Sequence, residues 1–278
     1  MGAWTCASAA LATNTISRPR IPKRSDTYIV TVTNRCESPN GQTYLHFMTP
    51  FGSVHSAQDK SGTLLPFSNV TKTATTFAMV TDETRNFDFV MDSLNLSAQS
   101  SWRLWWDAAK DSEGSRNQTL LEVTCETNVA NAAANTSRCW INVSNVDGLT
   151  NSLQVEFFEA ELPSIIVHPP EDWQCPEPNR YPASTNTHDP LSFLPPNQAC
   201  LSNCSLLSTD EACCRNANST RETCSRNSSP EIKAAAPEAY SFAYDDHTPY
   251  FKDNVTVTPI RKHDFVSGTR IFHATLCY

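Results

Sequence analysis

Eleven cysteines, spread from Cys6 to Cys277, constrain this chain more than any other feature. Their spacings contain no C-x2-C…C-x2-C zinc pattern, and the histidines form no H-E-x-x-H. Disulfides are therefore the better reading, and they imply an oxidising compartment. Nine asparagines open N-x-S/T sequons: Asn69, Asn95, Asn117, Asn135, Asn142, Asn203, Asn218, Asn227 and Asn254. Such acceptors belong on secretory surfaces. Together the two patterns predict a secreted, extracellular glycoprotein, with Asn142 a special case argued below.

Charge and apolar patterning exclude several classes. The chain carries 21 Lys+Arg against 29 Asp+Glu, a net charge of −8. That balance argues against a basic face for nucleic acid or for an anionic membrane surface. Apolar runs such as Ser164-Ile165-Ile166-Val167 fall far short of the ~20 residues that span a bilayer. Only 7 glycines are present, with no G-x-G-x-x-G and no P-loop, so no nucleotide cofactor is expected. His168, His188, His247, His263 and His273 lack ligand spacing, so no metal is expected either. A monomer is expected.

Residues 1–24 read as a leader or propeptide-like segment. Ala3 to Ala12 is weakly apolar and ends in Ala10-Leu11-Ala12, in the manner of a signal peptide without its basic start. The dibasic Lys23-Arg24 before Ser25-Asp26 resembles a kexin-type cleavage site. A disordered basic leader and a wrongly assigned start are the alternatives. Cleavage after Arg24 removes Cys6 and leaves an even ten cysteines.

The remainder predicts an all-β chain. Tyr28–Thr33 alternates, with Tyr28, Val30 and Val32 on one face. Further strands are expected at Tyr44–Met48, Thr75–Val80, Phe87–Met91, Trp102–Trp106, Leu120–Cys125, Cys139–Val143 and Leu153–Phe158. The last, Arg270–Cys277, puts Phe272, Ala274 and Leu276 on one face. Many short strands separated by turns suggest an antiparallel sandwich. Alternation also sends at least one of Trp102, Trp105 and Trp106 into the core, and two of the three are read as core residues. Nine of 18 prolines fall between Pro163 and Pro196, which predicts an irregular connection. Ser208-Thr209-Asp210-Glu211 has the form of a capping box, and Ser229-Pro230-Glu231 that of a helix start. These signals divide the chain into a sandwich, 25–162 and 241–278, interrupted by a disulfide-rich subdomain with short helices, 163–240.

Several segments resemble the thaumatin-like family of the pathogenesis-related group 5 type. They are Gln174-Cys175-Pro176, the pair Cys200 and Cys204, Asp210-Glu211-Ala212-Cys213-Cys214-Arg215, Ala236–Asp246 and Thr275-Leu276-Cys277. Val30–Cys36, Trp102–Trp105 and Ile141–Gly148 extend the likeness upstream, over roughly residues 27–278. Ala236 stands where the family has a cysteine, and 246–268 is an insertion without the usual one. The resemblance implies a thaumatin-like sandwich with bridges Cys36–Cys277, Cys175–Cys200, Cys204–Cys213 and Cys214–Cys224, leaving Cys125 with Cys139.

If Cys125 and Cys139 oppose each other on antiparallel strands, opposed residues keep a constant index sum, so Glu122 faces Asn142 on the other side of the sheet. The resemblance implies an acidic cleft at matching positions: Arg103, Glu122, Asn142, Asp147 and Asp245. By that likeness the partner is cell-wall β-1,3-glucan or a related polysaccharide. Paired carboxylates across a sugar groove suit glycoside hydrolysis. Glu122 would donate the proton, Asp147 or Asp245 would act on water, and Arg103 and Asn142 would bind. Asn142 removes one acidic group, which favours binding over a weak endo-β-1,3-glucanase activity. The alternatives are hydrogen-bonded strand and turn residues with no ligand, and a secreted effector or inhibitor acting through protein–protein contacts.

Overall fold

The computed structural model describes residues 25–48, 54–58, 64–66, 75–92, 99–108, 117–127, 136–159, 161–180, 192–216, 218–226, 229–252 and 254–278. The leader with Cys6 lies outside the described residues, as do Asn69, Asn95, Asn135, Asn227 and His188.

Alternating β-branched and aromatic segments become strands β1 (Ser25–Asn34), β2 (Gln42–Met48), β3 (Val54–Gln58), β4 (Leu64–Pro66), β5 (Thr75–Val80) and β6 (Thr84–Asp92). They continue as β7 (Gln99–Asp107), β8 (Leu120–Thr127), β9 (Thr136–Ser144), β10 (Gly148–Leu149), β11 (Leu153–Phe157) and β12 (Ile165–Val167). After β13 (Cys200–Leu201) come helices α1 (Asn203–Leu207), α2 (Arg221–Arg226) and α3 (Pro230–Ala235). The chain ends with β14 (Tyr250–Lys252), β15 (Val255–Val257), β16 (Ile260–Val266) and β17 (Arg270–Leu276).

The architecture is all-β. A seven-stranded sheet in the order β12-β11-β17-β1-β6-β3-β4 faces a six-stranded sheet, β16-β9-β8-β7-β2-β5. Tyr28, Val30, Val32, Phe272, Ala274 and Leu276 all point into the core, as their alternation predicts. Among the described strands, pairing is antiparallel except between β1 and β17, which run parallel with Val30 opposite Phe272. Rings from both sheets meet between them. Phe47 lies 5.0 Å from Phe87, and Trp102 lies 6.2 Å from Phe272, centroid to centroid. Trp102 and Trp106 belong to this core, whereas Trp105 is buried on the outer face of the six-stranded sheet, stacked on His46 at 5.2 Å.

Among the described residues five disulfides join Cys36–Cys277, Cys125–Cys139, Cys175–Cys200, Cys204–Cys213 and Cys214–Cys224. The cysteine-rich segment is sewn to the sandwich by polar contacts as well. The Ser192 hydroxyl donates to the Thr150 carbonyl at 2.6 Å, and Asn151 accepts the Phe193 N–H at 2.9 Å. Gly148 lets β10 approach β13, because a Cβ there would sit 2.8 Å from the Cys200 carbonyl oxygen.

Two local expectations need correction. Ser208 does not start a helix: it ends α1 with φ 52°, its N–H bonded to the Cys204 carbonyl. Bridges between residues 204 and 213 and between 214 and 224 fold this stretch too tightly for a helix, and Thr209 instead caps a single turn through the Ala212 N–H at 3.2 Å. The proline-rich connection does contain a strand, β12, paired to β11. The insertion contributes β16, a seven-residue edge strand on β9. Its buried Arg261 holds it by donating to the Pro163 and Ser164 carbonyls at 2.7 and 3.0 Å. By contrast, Pro230 opens α3 behind the N-cap Ser229.

Candidate functional site

On β7, β8 and β9, Leu104, Leu121, Val123, Ile141 and Val143 face the core, so the residues between them face outward. The register then sets Arg103 opposite Glu122, Glu122 opposite Asn142, and Asn142 opposite Ile260. This row crosses four strands. Directly opposed Cβ atoms in antiparallel pairs lie about 5 Å apart. Arg103, Glu122 and Asn142 are half-buried. The Asn142 amide donates to Glu122 Oε2 at 3.2 Å.

A second segment meets this row from the far side of the cysteine-rich region. Tyr240 bridges Ser144 in parallel, donating its N–H to the Val143 carbonyl at 2.8 Å and accepting the Asn145 N–H at 2.7 Å. Bridged residues share a face, which puts Tyr240 on the same side as Ser144, Asn142 and Glu122. Burial pushes the Tyr240 phenol well above its usual range, and the carboxylates of Asp246, Asp245 and Glu122 push it further. The hydroxyl therefore stays protonated, a neutral donor among acidic groups.

Asp245 opens a 3-10 turn, Asp245–His247, and is fully buried. Its Oδ2 accepts from Lys233 Nζ at 2.9 Å, the Ser241 N–H at 2.9 Å and Ser241 Oγ at 3.3 Å. Burial lowers the Lys233 pKa, and the Asp245 carboxylate opposes that shift. Asp246, half-buried, contacts His247 Nε2 at 3.0 Å and faces outward next to it. Asp147 lies between β9 and β10, its carbonyl accepting the Ser205 hydroxyl at 2.5 Å and the Ser202 N–H at 3.3 Å.

Of the five cleft positions expected, the structure aligns Arg103, Glu122 and Asn142 in one row. Asp147 and Asp245 come from turns beside the cysteine-rich segment. Two residues that the sequence did not assign to the cleft set, Tyr240 and Asp246, stand nearer to solvent than Asp245. Both lie within the Ala236–Asp246 motif, but an isolated bridge and a 3-10 turn leave no periodicity to mark them. Among the sequons, Asn203 Oδ1 accepts from Asn179 at 3.0 Å, Asn117 is half-buried, and Asn218 and Asn254 are exposed. Among the described residues no group of three or more His, Cys, Asp or Glu is placed to hold a metal ion, and no helix is long and apolar enough to cross a membrane.

Comparison with known proteins agrees with this architecture. The model of the thaumatin family matches residues 108–258. Pathogenesis-related protein 5 of Arabidopsis thaliana is 50% identical over 54 residues, 19% of this chain and 23% of that protein. Pathogenesis-related thaumatin-like protein 3.5 of Cryptomeria japonica is 44% identical over 54 residues, 19% of this chain and 22% of its own length. The chain thus spans less than a quarter of the length of either relative. The family match covers more than half of the chain, across β8 to β15 with Glu122 and Asn142 of the row, the cysteine-rich segment and the Tyr240–His247 turn: this protein belongs to the thaumatin family.

Proposed function

We propose that this protein is a secreted, glycosylated monomer that binds cell-wall β-1,3-glucan along the Arg103–Glu122–Asn142 row. The observation that carries the reading is the outward row itself, with Asn142 bonded to Glu122 and the protonated Tyr240 beside it. A guanidinium, a carboxylate, an amide and a phenol side by side offer both donors and acceptors, as sugar hydroxyls require. Binding is favoured over hydrolysis. An amide occupies the position opposite Glu122, and Asp245 has one oxygen committed to Lys233 and Ser241.

The test is sedimentation with insoluble β-1,3-glucan, with chitin and cellulose as controls. Glu122→Gln and Arg103→Ala each weaken binding, while Arg226→Ala on the exposed end of α2 does not. Equal binding by all three variants moves the function elsewhere. One observation favours a second reading, a secreted effector or inhibitor: the β14–β15 hairpin holds Phe251 73% and Val255 57% exposed. Loss of inhibition or partner binding in Phe251→Ser, with glucan binding absent from the wild type, would select that reading.

A further inference from the structure

We propose a second saccharide site, on the outer face of the seven-stranded sheet, that takes a neutral oligosaccharide. A groove of about 440 Å³ opens there, lined by Arg35, Gln154, Glu156, His273, Thr275 and Tyr278. Its volume falls within the ~300–1,000 Å³ of small-ligand sites. The sandwich core separates it from the cleft row, so it stands independently of the glucan reading.

The floor follows from strand alternation. Val155, Ala274 and Val32 point into the core, so Gln154, Glu156, His273, Thr275 and Thr33 point out. The register sets Glu156 opposite His273 and Gln154 opposite Thr275, giving two polar rungs. The parallel partner β1 adds Thr31 and Thr33 to the same rungs.

Hydrogen bonds hold these side chains in place before any ligand arrives. His273 Nε2 and Thr33 Oγ1 lie 2.8 Å apart, and Thr33 Oγ1 reaches Thr84 Oγ1, also at 2.8 Å. Gln154 Nε2 donates to Glu156 Oε1 at 3.3 Å. The Cys36–Cys277 bridge and the Ser152 hydroxyl bond to the Tyr278 carbonyl at 3.0 Å fix one end. Pre-organisation of this kind lowers the ordering cost of binding.

The chemistry selects a neutral, hydroxyl-rich ligand. An anion would meet Glu156, and a cation would meet the Arg35 guanidinium, which also lies 3.7 Å from Asp82. In a chain of net charge −8 this groove is locally balanced. Amide, imidazole, hydroxyl, carboxylate and guanidinium groups provide donors and acceptors in alternation. One exposed ring, Tyr278 at 49%, lines the groove, and two residues beyond Glu156 the exposed Phe158 carries Arg270 6.0 Å over its ring. Exposed rings beside fixed polar groups present an apolar body with a wet edge, which suits the two faces of a pyranose.

The test titrates the isotope-labelled protein with laminaripentaose, cellopentaose and chitopentaose while nuclear magnetic resonance follows His273, Gln154 and, for the cleft, Tyr240. The expected result is that the His273 ring and Gln154 amide signals shift with at least one sugar. Gln154→Ala and Tyr278→Ala should each weaken that response about tenfold, while Glu122→Gln leaves it unchanged. Static His273 and Gln154 signals with all three sugars overturn the proposal. So does a response that both groove variants leave intact, or one that Glu122→Gln abolishes. Movement of Tyr240 alone supports the cleft and overturns the groove. Movement of the groove signals alone supports the groove and removes the cleft reading.

Discussion

Asn142 donates its side-chain amide to Glu122 across the β8–β9 pair at 3.2 Å, and the donating nitrogen is the atom that a glycan would modify. Asn142 also sits mid-strand, flanked by β8 and β16. A transferase needs its acceptor in a pliable loop, so Asn142 is expected to stay unmodified in secreted protein. Asn254, exposed at the β14–β15 turn with φ 64°, and exposed Asn218 are expected to carry glycans. Glycopeptide mapping checks both expectations. A glycan on Asn142 would fill the cleft, so occupancy there and glucan binding exclude each other.

Asn142→Asp replaces the donor with a second carboxylate directly opposite Glu122. Opposed like charges lower stability by about 0.5–1 kcal/mol at neutral pH without altering the fold. The same change supplies the missing acidic partner, so any latent β-1,3-glucan hydrolysis should rise, measured as released reducing sugar. If neither form releases sugar while the wild type binds, the groove is lectin-like.

Asp245→Asn distinguishes a scaffolding carboxylate from an accessible one. The variant strands Lys233, whose side chain is only 19% exposed, without its counter-charge. Removing one partner of a buried pair costs about 3 kcal/mol. Urea denaturation should show that loss, and adding Lys233→Met should restore most of it. Asp246→Asn should leave stability nearly unchanged and weaken glucan binding instead.

Acid stability should depend in part on Arg138 and Asp264. Arg138 donates to Asp264 through Nε at 2.7 Å and through a second nitrogen at 3.1 Å. That hydrogen bonding, aided by the guanidinium charge and opposed by burial, holds the Asp264 carboxyl below its ordinary value of 3.8. A depressed folded-state pKa contributes stability that is fully present above the unfolded value and lost as pH falls through the folded one. The wild type should therefore be slightly more stable than Asp264→Asn at neutral pH, and the difference should vanish in strong acid. The effect is small because both side chains are more than a third exposed. Urea midpoints across pH measure it.

How much of this was legible in the sequence depends on periodicity. Tyr28–Val32 and Phe272–Leu276 send alternate apolar residues into the core, so their inward faces can be read directly. The Glu122–Asn142 opposition follows from the same rule once Cys125 and Cys139 are paired, and the structure has both pairs in one register. β16 was invisible because Ile260-Arg261-Lys262-His263-Asp264 is charged, as edge strands tend to be, and its one deeply buried cation is satisfied by distant carbonyls. The helix expected from Ser208 failed because two short disulfides outweigh a capping preference worth about 1 kcal/mol. The place of Tyr240 and Asp246 beside the row could not be read locally, because tertiary contacts, not local pattern, bring them there.

The parallel seam between β1 and β17 has a consequence for synthesis. β17 lies between β1 and β11, and Cys36 and Cys277 at the seam are 241 residues apart in sequence. A chain leaving the ribosome amino end first can pair β1 with β6 early, but β1's other edge must wait for nearly the whole chain. Until then β1 and β11 each present an unpaired edge across an empty slot, the kind of edge that captures strands from other molecules. Such distant pairing is slow to form, because the entropy of closing a long loop comes before any contact. Filling that slot is thus a late event in folding, and Cys36–Cys277 acts as the latch that keeps β17 from leaving. Nascent chains stalled before β17 should be the species that chaperones hold and that aggregation removes.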